Sequence, residues 1–269
     1  MVAMLSTPNS PPRTSSLSTR SYCSRNLVTQ SRISSSYQVH LPFQVLTVIA
    51  YWCQSSGLLV PFGGFSEIGL LPGDTVIVAP ATGKFGGSAV TTALAMGASV
   101  IACGRNEATL SALSSFFSTT GRISTVIMTG DVATDTQSIL TASGEKGADA
   151  YIDFSPPQAA KSTHIKSAMG ALKPRGRAVF MGGIQGSVAI DYRMVMRKSL
   201  RIQGRFMYER DMILQMIKMV EKGNLKLGEE GAGIKIVGRY GLEGWKEAAE
   251  QAKAMSGWGR SVVLMPDLA

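Results

Sequence analysis

Between Thr75 and Arg105 the spacing of apolar residues changes from continuous to helical and back again. Thr75 to Ala79 (TVIVA) is an unbroken, mostly β-branched run, as expected of a strand buried on both faces. Pro80 to Gly87 (PATGKFGG) interrupts it, and Val90, Ala93, Leu94 and Gly97 then recur with helical periodicity. Val100 to Ala102 predicts a second buried strand, ending in Gly104 and Arg105. Residues 148–154 and 177–181 are short apolar runs behind turn signals, and they predict further parallel strands. Thr163 to Leu172 has helical spacing and should stop before Pro174. Met212, Ile213, Met216, Ile217 and Val220 make one helix face, with Gly223 placed as a C-terminal cap. Trp245 to Ala254 predicts another amphipathic helix and Ser261 to Met265 a last strand. Strands that alternate with helices in this way predict an α/β fold with a doubly wound parallel sheet.

Strand, glycine turn, helix and strand in that order form a dinucleotide-binding context. In it, the turn aims the amides of a helix N-terminus at a diphosphate. Gly83 suits close approach of the backbone to phosphate, and Gly86 suits close packing of helix on strand. Pro80 takes the place where a first glycine is usual, so the turn is shaped by a fixed φ. The alternative is a βαβ unit whose glycines serve packing alone. Ala81, Thr82, Gly83, Phe85 and Gly86 are the candidate diphosphate residues.

The end of the second strand bears on which dinucleotide fits. An NAD site places Asp or Glu about 20 residues after the glycines, to bond the ribose 2′-hydroxyl. Here that region holds Gly104, Arg105 and Asn106, and the next carboxylate, Glu107, should begin a helix. Gly104 is expected to leave space for a 2′-phosphate and Arg105 to grip it, which favours NADP(H). A solvated surface arginine is the other reading.

From about Leu58 onward the chain resembles the coenzyme-binding half of the medium-chain dehydrogenases/reductases. That family includes the zinc-type alcohol dehydrogenases and the quinone oxidoreductases. The resemblance rests on Leu71-Pro72-Gly73-Asp74-Thr75-Val76, Ala81-Thr82-Gly83-Lys84-Phe85-Gly86-Gly87 and Met96-Gly97-Ala98. It continues through residues 147–153 (GADAYID), Leu172-Lys173-Pro174-Arg175-Gly176-Arg177, Met181-Gly182-Gly183 and Gly259-Arg260-Ser261-Val262-Val263-Leu264. It implies hydride transfer between NADP(H) and an alcohol, carbonyl, enone or quinone. It also implies that Gly182 and Gly183 run beside the nicotinamide ring, and that the last helix and strand rejoin a catalytic domain.

That catalytic domain, an N-terminal barrel in such relatives, is not visible in the sequence. Residues 1–40 hold eleven serines, four arginines and no acidic residue, and the first carboxylate is Glu67. Such a segment has too few large apolar residues for a packed core. Residues 41–53 (LPFQVLTVIAYWC) are apolar but shorter than a membrane span of about 20 residues. The expected organisation is therefore an irregular or disordered segment over 1–55 and an NADP-binding domain over 56–269, with a linker helix from Ser56 to Glu67. The leading segment is read either as an organellar transit peptide or as sequence that stands in place of the barrel. On the second reading the chain is a truncated family member. Activity is then left open, and the alternative to an oxidoreductase is a non-catalytic dinucleotide-binding module or fragment. No catalytic residue is assigned.

Metal chemistry is not expected. A catalytic zinc needs three protein ligands, and the chain offers Cys23, Cys53, Cys103, His40 and His164 in scattered positions. Cys103 should be buried in a strand and inert, and His164 should open a helix in a surface or capping role. Cysteines without a CxxC pair point to a reducing compartment. Cytoplasmic localisation is expected, or mitochondrial if residues 1–55 are a transit peptide. No short-chain-dehydrogenase Tyr-x-x-x-Lys occurs at Tyr192 or Tyr208, and there is no GxSxG elbow or GK[ST] ending. A net charge of +9 is dispersed rather than clustered, which suits an anionic coenzyme and gives no nucleic-acid face. The expected partners are a small-molecule substrate, if the chain is active, and a second copy in a homodimer. The dimer is expected because apolar surface would be left bare where the barrel packs.

Overall fold

The structure, a computed structural model, describes residues 57–265. The expectations for residues 1–55, together with Cys23, His40 and Cys53, lie outside the described residues. A helix, α1, covers 57–67 and leads into β1 (Thr75–Ala79). The chain continues through α2 (Lys84–Ala95), β2 (Ser99–Gly104), α3 (Glu107–Phe116), β3 (Ile123–Ile127) and α4 (Val132–Ala142). It then forms β4 (Ala148–Asp153), α5 (His164–Gly170), β5 (Leu172–Phe180), α6 (Tyr192–Lys198) and β6 (Arg201–Gly204). Last come α7 (Arg210–Glu221), α8 (Gly228–Ala232), β7 (Lys235–Tyr240), α9 (Trp245–Ala254) and β8 (Arg260–Leu264).

Six strands form one parallel sheet in the order β3-β2-β1-β4-β5-β6. The chain winds outward from β1 to β3, returns to the centre, and winds outward again from β4. The expected doubly wound sheet is what the structure has. Its switch point lies between the carboxyl ends of β1 and β4, where open sheets of this kind leave a crevice for ligands.

Alternation across the pleat divides the core into two layers. Val76, Val78, Val100 and Ala102 face α2 and α3, packing with Ala89, Val90, Ala93, Leu110 and Leu113. Ile77, Ala79, Ile101 and Cys103 face the other way, against Ile139, Ile165, Met169 and Leu172. Each fully buried aliphatic side chain of this kind contributes about 1.5–3 kcal/mol relative to exposure. The central strands are therefore the rigid part on which the loops are mounted. At the opposite end of the sheet, Asp149 accepts a bond from the Thr75 amide at 3.0 Å and pairs with Lys173. Partial burial pushes the Asp149 carboxyl upward, but the Lys173 partner and the Thr75 amide outweigh it and hold it below its ordinary value.

Several expected bounds shift. The second strand is longer than Val100–Ala102, and β5 begins at Leu172 with Pro174 inside it. The register jumps between Ala148 and Ala150 opposite Leu172 and Arg177, so Pro174 sits in an irregularity where no ladder donor is needed. The expected helix of 163–172 accordingly stops at Gly170. The last strand does not join the main sheet, because β7 and β8 pair in parallel as a separate two-stranded sheet. Among the described residues no helix is long and apolar enough to cross a membrane.

Candidate functional site

The glycine turn occupies the exit of β1. The Ala81 amide donates to the Cys103 carbonyl at 2.8 Å, tying the turn to β2. Gly83 is the N-cap of α2, in extended conformation, and no side chain caps that end of the helix. Nothing stands where a side chain on Gly83 would project, and no side chain satisfies the first-turn amides. Gly86 has the opposite environment. A β-carbon there would collide with the Pro80 carbonyl oxygen and lie 2.9 Å from Ala81 Cα, so glycine is what lets α2 sit against the turn. Phe85 is exposed and stacks on Phe154, at the exit of β4, with ring centroids 6.0 Å apart.

A neighbour that the sequence gave no means of foreseeing leans on this turn. Gly257 bridges to Gly83, and the Trp258 amide donates to the Thr82 carbonyl at 3.2 Å. The Trp258 ring lies across Gly87, where any β-carbon would collide with it. The loop before β8 thus braces the glycine turn from about 170 residues away in sequence.

At the exit of β2, Gly104 is buried and Arg105 and Asn106 are exposed. The space beside Gly104 is taken by Thr82, whose Cγ2 would lie 2.6 Å from a β-carbon. Glycine here serves the packing of the turn, and not the open space expected from the sequence. Arg105 has no ion-pair or hydrogen-bond partner among the described residues. Asn106 has a structural task as the N-cap of α3, its Oδ1 accepting from the Thr109 amide at 3.0 Å. Glu107 is the first residue of α3, as its position predicted.

The exits of β4 and β5 form the other half of the edge. Met181, Gly182 and Gly183 run alongside residues 153–155, with the Met181 amide on the Asp153 carbonyl at 3.1 Å and the Gly183 amide on the Ser155 carbonyl at 2.8 Å. Gly182 and Gly183 are exposed. Behind Gly182 is the Asp153 carboxylate, against which any side chain at position 182 would collide.

Asp153 anchors a polar cluster. Its Oδ1 accepts from Ser155 Oγ at 2.5 Å, lies 3.2 Å from the Tyr151 hydroxyl, and is 3.2 Å from His164 Nε2. Ser155 Oγ is itself 2.7 Å from His164 Nε2, and Ser162 Oγ is 2.6 Å from His164 Nδ1. The Tyr151 hydroxyl also lies 3.3 Å from the Ala79 carbonyl, so the cluster spans the switch point from β4 to β1. Asp153 and Ser155 are each 2% exposed. Burial, then the neighbouring Asp153 charge, raises the Tyr151 hydroxyl well above its ordinary value, so it stays a protonated donor.

The surface or capping role expected for His164 is corrected here. It opens α5 as foreseen, but its side chain is 11% exposed and committed to Ser155, Asp153 and Ser162. Ser, His and Asp in one cluster invite comparison with an acyl-transfer triad, and the geometry excludes it. Asp153 and Ser155 both address Nε2, so no carboxylate orients the far ring nitrogen, and Ser155 is closed to solvent. The cluster is a support, built from β4, the loop after it and α5.

Cys103 is buried in β2, and burial raises its thiol far above the ordinary range, with a contribution from Asp135. Among the described residues no three His, Cys, Asp or Glu gather as a metal site requires.

The sequence model for the zinc-binding dehydrogenases matches residues 85–222, just over half of the chain. No curated protein matches it. The fold is shared with solved alcohol dehydrogenases at low identity. An alcohol dehydrogenase from Thermus sp. ATN1 aligns at 19% identity and TM-score 0.63, over 79% of this chain and 57% of its own. An NAD-dependent alcohol dehydrogenase aligns at 23% and TM-score 0.59, over 78% and 56%. A cobalt- and zinc-bound thermostable alcohol dehydrogenase from Pyrobaculum aerophilum aligns at 21% and 0.57, over 78% and 55%. This chain thus spans little more than half the length of these structures.

Proposed function

The chain belongs to the zinc-binding dehydrogenase family, and we propose that it binds NADP(H) along the carboxyl edge of its six-stranded sheet. The family is one of dinucleotide-binding dehydrogenases, and the choice of coenzyme is the proposal. The diphosphate is assigned to the uncapped amides of α2 and the backbone of Ala81, Thr82, Gly83, Phe85 and Gly86. Arg105 is assigned to the 2′-phosphate. The observation that carries this assignment is an exposed arginine without a partner at the exit of β2, with no carboxylate before Glu107. Asn106 is a weaker candidate, since its carbonyl oxygen is already engaged. Gly104 supports the site through Thr82 rather than by leaving room.

With diphosphate at β1 and adenosine over β2, the nicotinamide half extends the other way across the switch point. It then lies over β4 and β5, beside the exposed backbone of Gly182 and Gly183. The bound coenzyme would supply or accept a hydride, and the substrate class is an alcohol, carbonyl, enone or quinone. The protein's part is to hold donor and acceptor within about 3–3.5 Å and to exclude water. The division into a coenzyme domain over 56–269 and a separate leading segment is part of the same proposal.

Calorimetric titration with NADPH and NADH tests the binding. Heat from NADPH, with much weaker heat from NADH, is the expected result; no heat from either in a folded sample removes the proposal. Consumption of NADPH with simple quinones and aldehydes separates an enzyme from a module that binds without turnover. The second reading is a dinucleotide-binding module without catalysis, and binding of NADPH with no turnover on any of these substrates would favour it.

A further inference from the structure

The Asp153 cluster has no task in binding phosphate or adenosine, yet it is the most heavily connected polar group at the sheet edge. We infer that the buried Asp153 carboxylate makes this site distinguish the oxidised from the reduced coenzyme, favouring the oxidised form. The inference rests on the reading that places the nicotinamide ring beside Gly182 and Gly183.

The argument begins with what stands between carboxylate and ring. Asp153 Oδ2 lies directly behind Gly182, and glycine is required there because the carboxylate fills the space. At Gly182 and Gly183 the strap is therefore backbone alone, exposed on its outer side, while the Met181 side chain turns away to pack at Gly64. Nothing bulkier than a peptide unit separates the crevice from the charge. An oxidised nicotinamide ring is a cation and a reduced one is neutral, so a carboxylate attracts one form and is almost indifferent to the other. In a partly buried setting such an interaction is several-fold stronger than in water.

The cluster also holds that charge in place. The Ser155 hydroxyl at 2.5 Å and the Ser155 amide at 3.3 Å both donate to the carboxylate and fix its orientation. A ring with its proton on Nε2 completes the set, with the Ser162 hydroxyl donating to Nδ1. Fixed dipoles and a fixed charge cost no reorganisation when a ligand arrives. Two strap amides bonded to the Asp153 and Ser155 carbonyls keep the strap and the carboxylate in register. Asp153 is thus a specificity-determining residue for coenzyme redox state, and Ser155 and His164 position it.

The test compares dissociation constants of NADP⁺ and NADPH for the full chain and for Asp153→Asn, by calorimetry or by quenching of tryptophan fluorescence. The expected result is tighter binding of the oxidised form by the unaltered chain, and a shift of the ratio by on the order of tenfold toward the reduced form in the variant. A merely structural role would weaken both forms together and leave the ratio alone. His164→Asn keeps the carboxylate and is expected to preserve the preference for the oxidised form. Should Asp153→Asn fail to fold, the ratio in the unaltered chain still decides, since equal or tighter binding of NADPH overturns the inference. Binding of both forms with the same ratio in the chain and the variant overturns this inference alone. Absence of binding by either form overturns it together with the coenzyme reading on which it stands.

Discussion

The two halves of the sheet edge are built by different means. Over β1 and β2 the candidate site is mostly backbone, an uncapped helix end and a glycine turn, with one unpartnered arginine beyond it. Over β4 and β5 it is the bare backbone of Gly182 and Gly183, supported from behind by buried side chains from β4, α5 and the loop between them. The first arrangement suits a ligand whose charge never changes, since a phosphate asks only for amides and a cation. The second suits a ligand whose charge does change, because a buried carboxylate responds to that difference. The contrast teaches that the two halves of one sheet edge need not be electrostatically alike.

The largest effect is expected at the glycine turn. Gly86→Val drives a branched side chain into the Pro80 carbonyl and Ala81, so the turn and α2 must separate. Overpacking of this kind costs about 1–3 kcal/mol, and binding of both coenzymes should be lost as well. Urea unfolding and calorimetry read the two losses; unaltered binding would break the picture of a backbone-built first half. Arg105→Ala should come next, weakening NADPH about 10- to 100-fold while leaving NADH within about twofold. Equal losses for both would mean that Arg105 does not read the 2′-phosphate.

On the other half, Tyr151→Phe removes a hydroxyl that joins the Asp153 cluster to the end of β1. A loss of about 1 kcal/mol in stability is expected from chemical denaturation. The same change should leave the NADPH-to-NADH ratio untouched, since Tyr151 is remote from the 2′-phosphate reading. A smaller effect concerns the far end of the sheet. The Asp149 carboxyl is held low by Lys173 and the Thr75 amide, so its stabilising contribution is present above the unfolded value near 4 and fades as pH falls further. Asp149→Asn should therefore flatten the acid limb of a stability–pH curve and change neither coenzyme affinity. A steep acid limb retained in that variant would assign the acid sensitivity to other carboxylates.

Much of the first half was legible along the chain. The run from Thr75 to Ala79 marked β1 to the residue, and Trp245 to Ala254 marked α9 in the same way. Local periodicity sufficed there because each element carries its own apolar signature. β3 was not legible, since only Val126 of its five residues is buried and an edge strand needs no continuous apolar run. Pro174 misled for a different reason. It reads as a helix stop and proves to lie within β5, where the irregular pairing with β4 removes the need for its amide.

What the sequence determined unaided was the strand–turn–helix–strand unit from Thr75 to Gly104, the position of the glycine turn within it and the absence of an acidic residue at the end of β2. These depend on neighbours within a few positions, where steric rules on glycine, proline and β-branched residues act directly. Tertiary structure alone decided that Trp258 braces the turn, that Thr82 fills the space beside Gly104, and that His164 turns inward to Asp153 and Ser155. Each of those contacts brings residues from different loops to the sheet edge. A buried polar group must find its partner in space, and linear spacing along a chain carries no record of which loop will supply it.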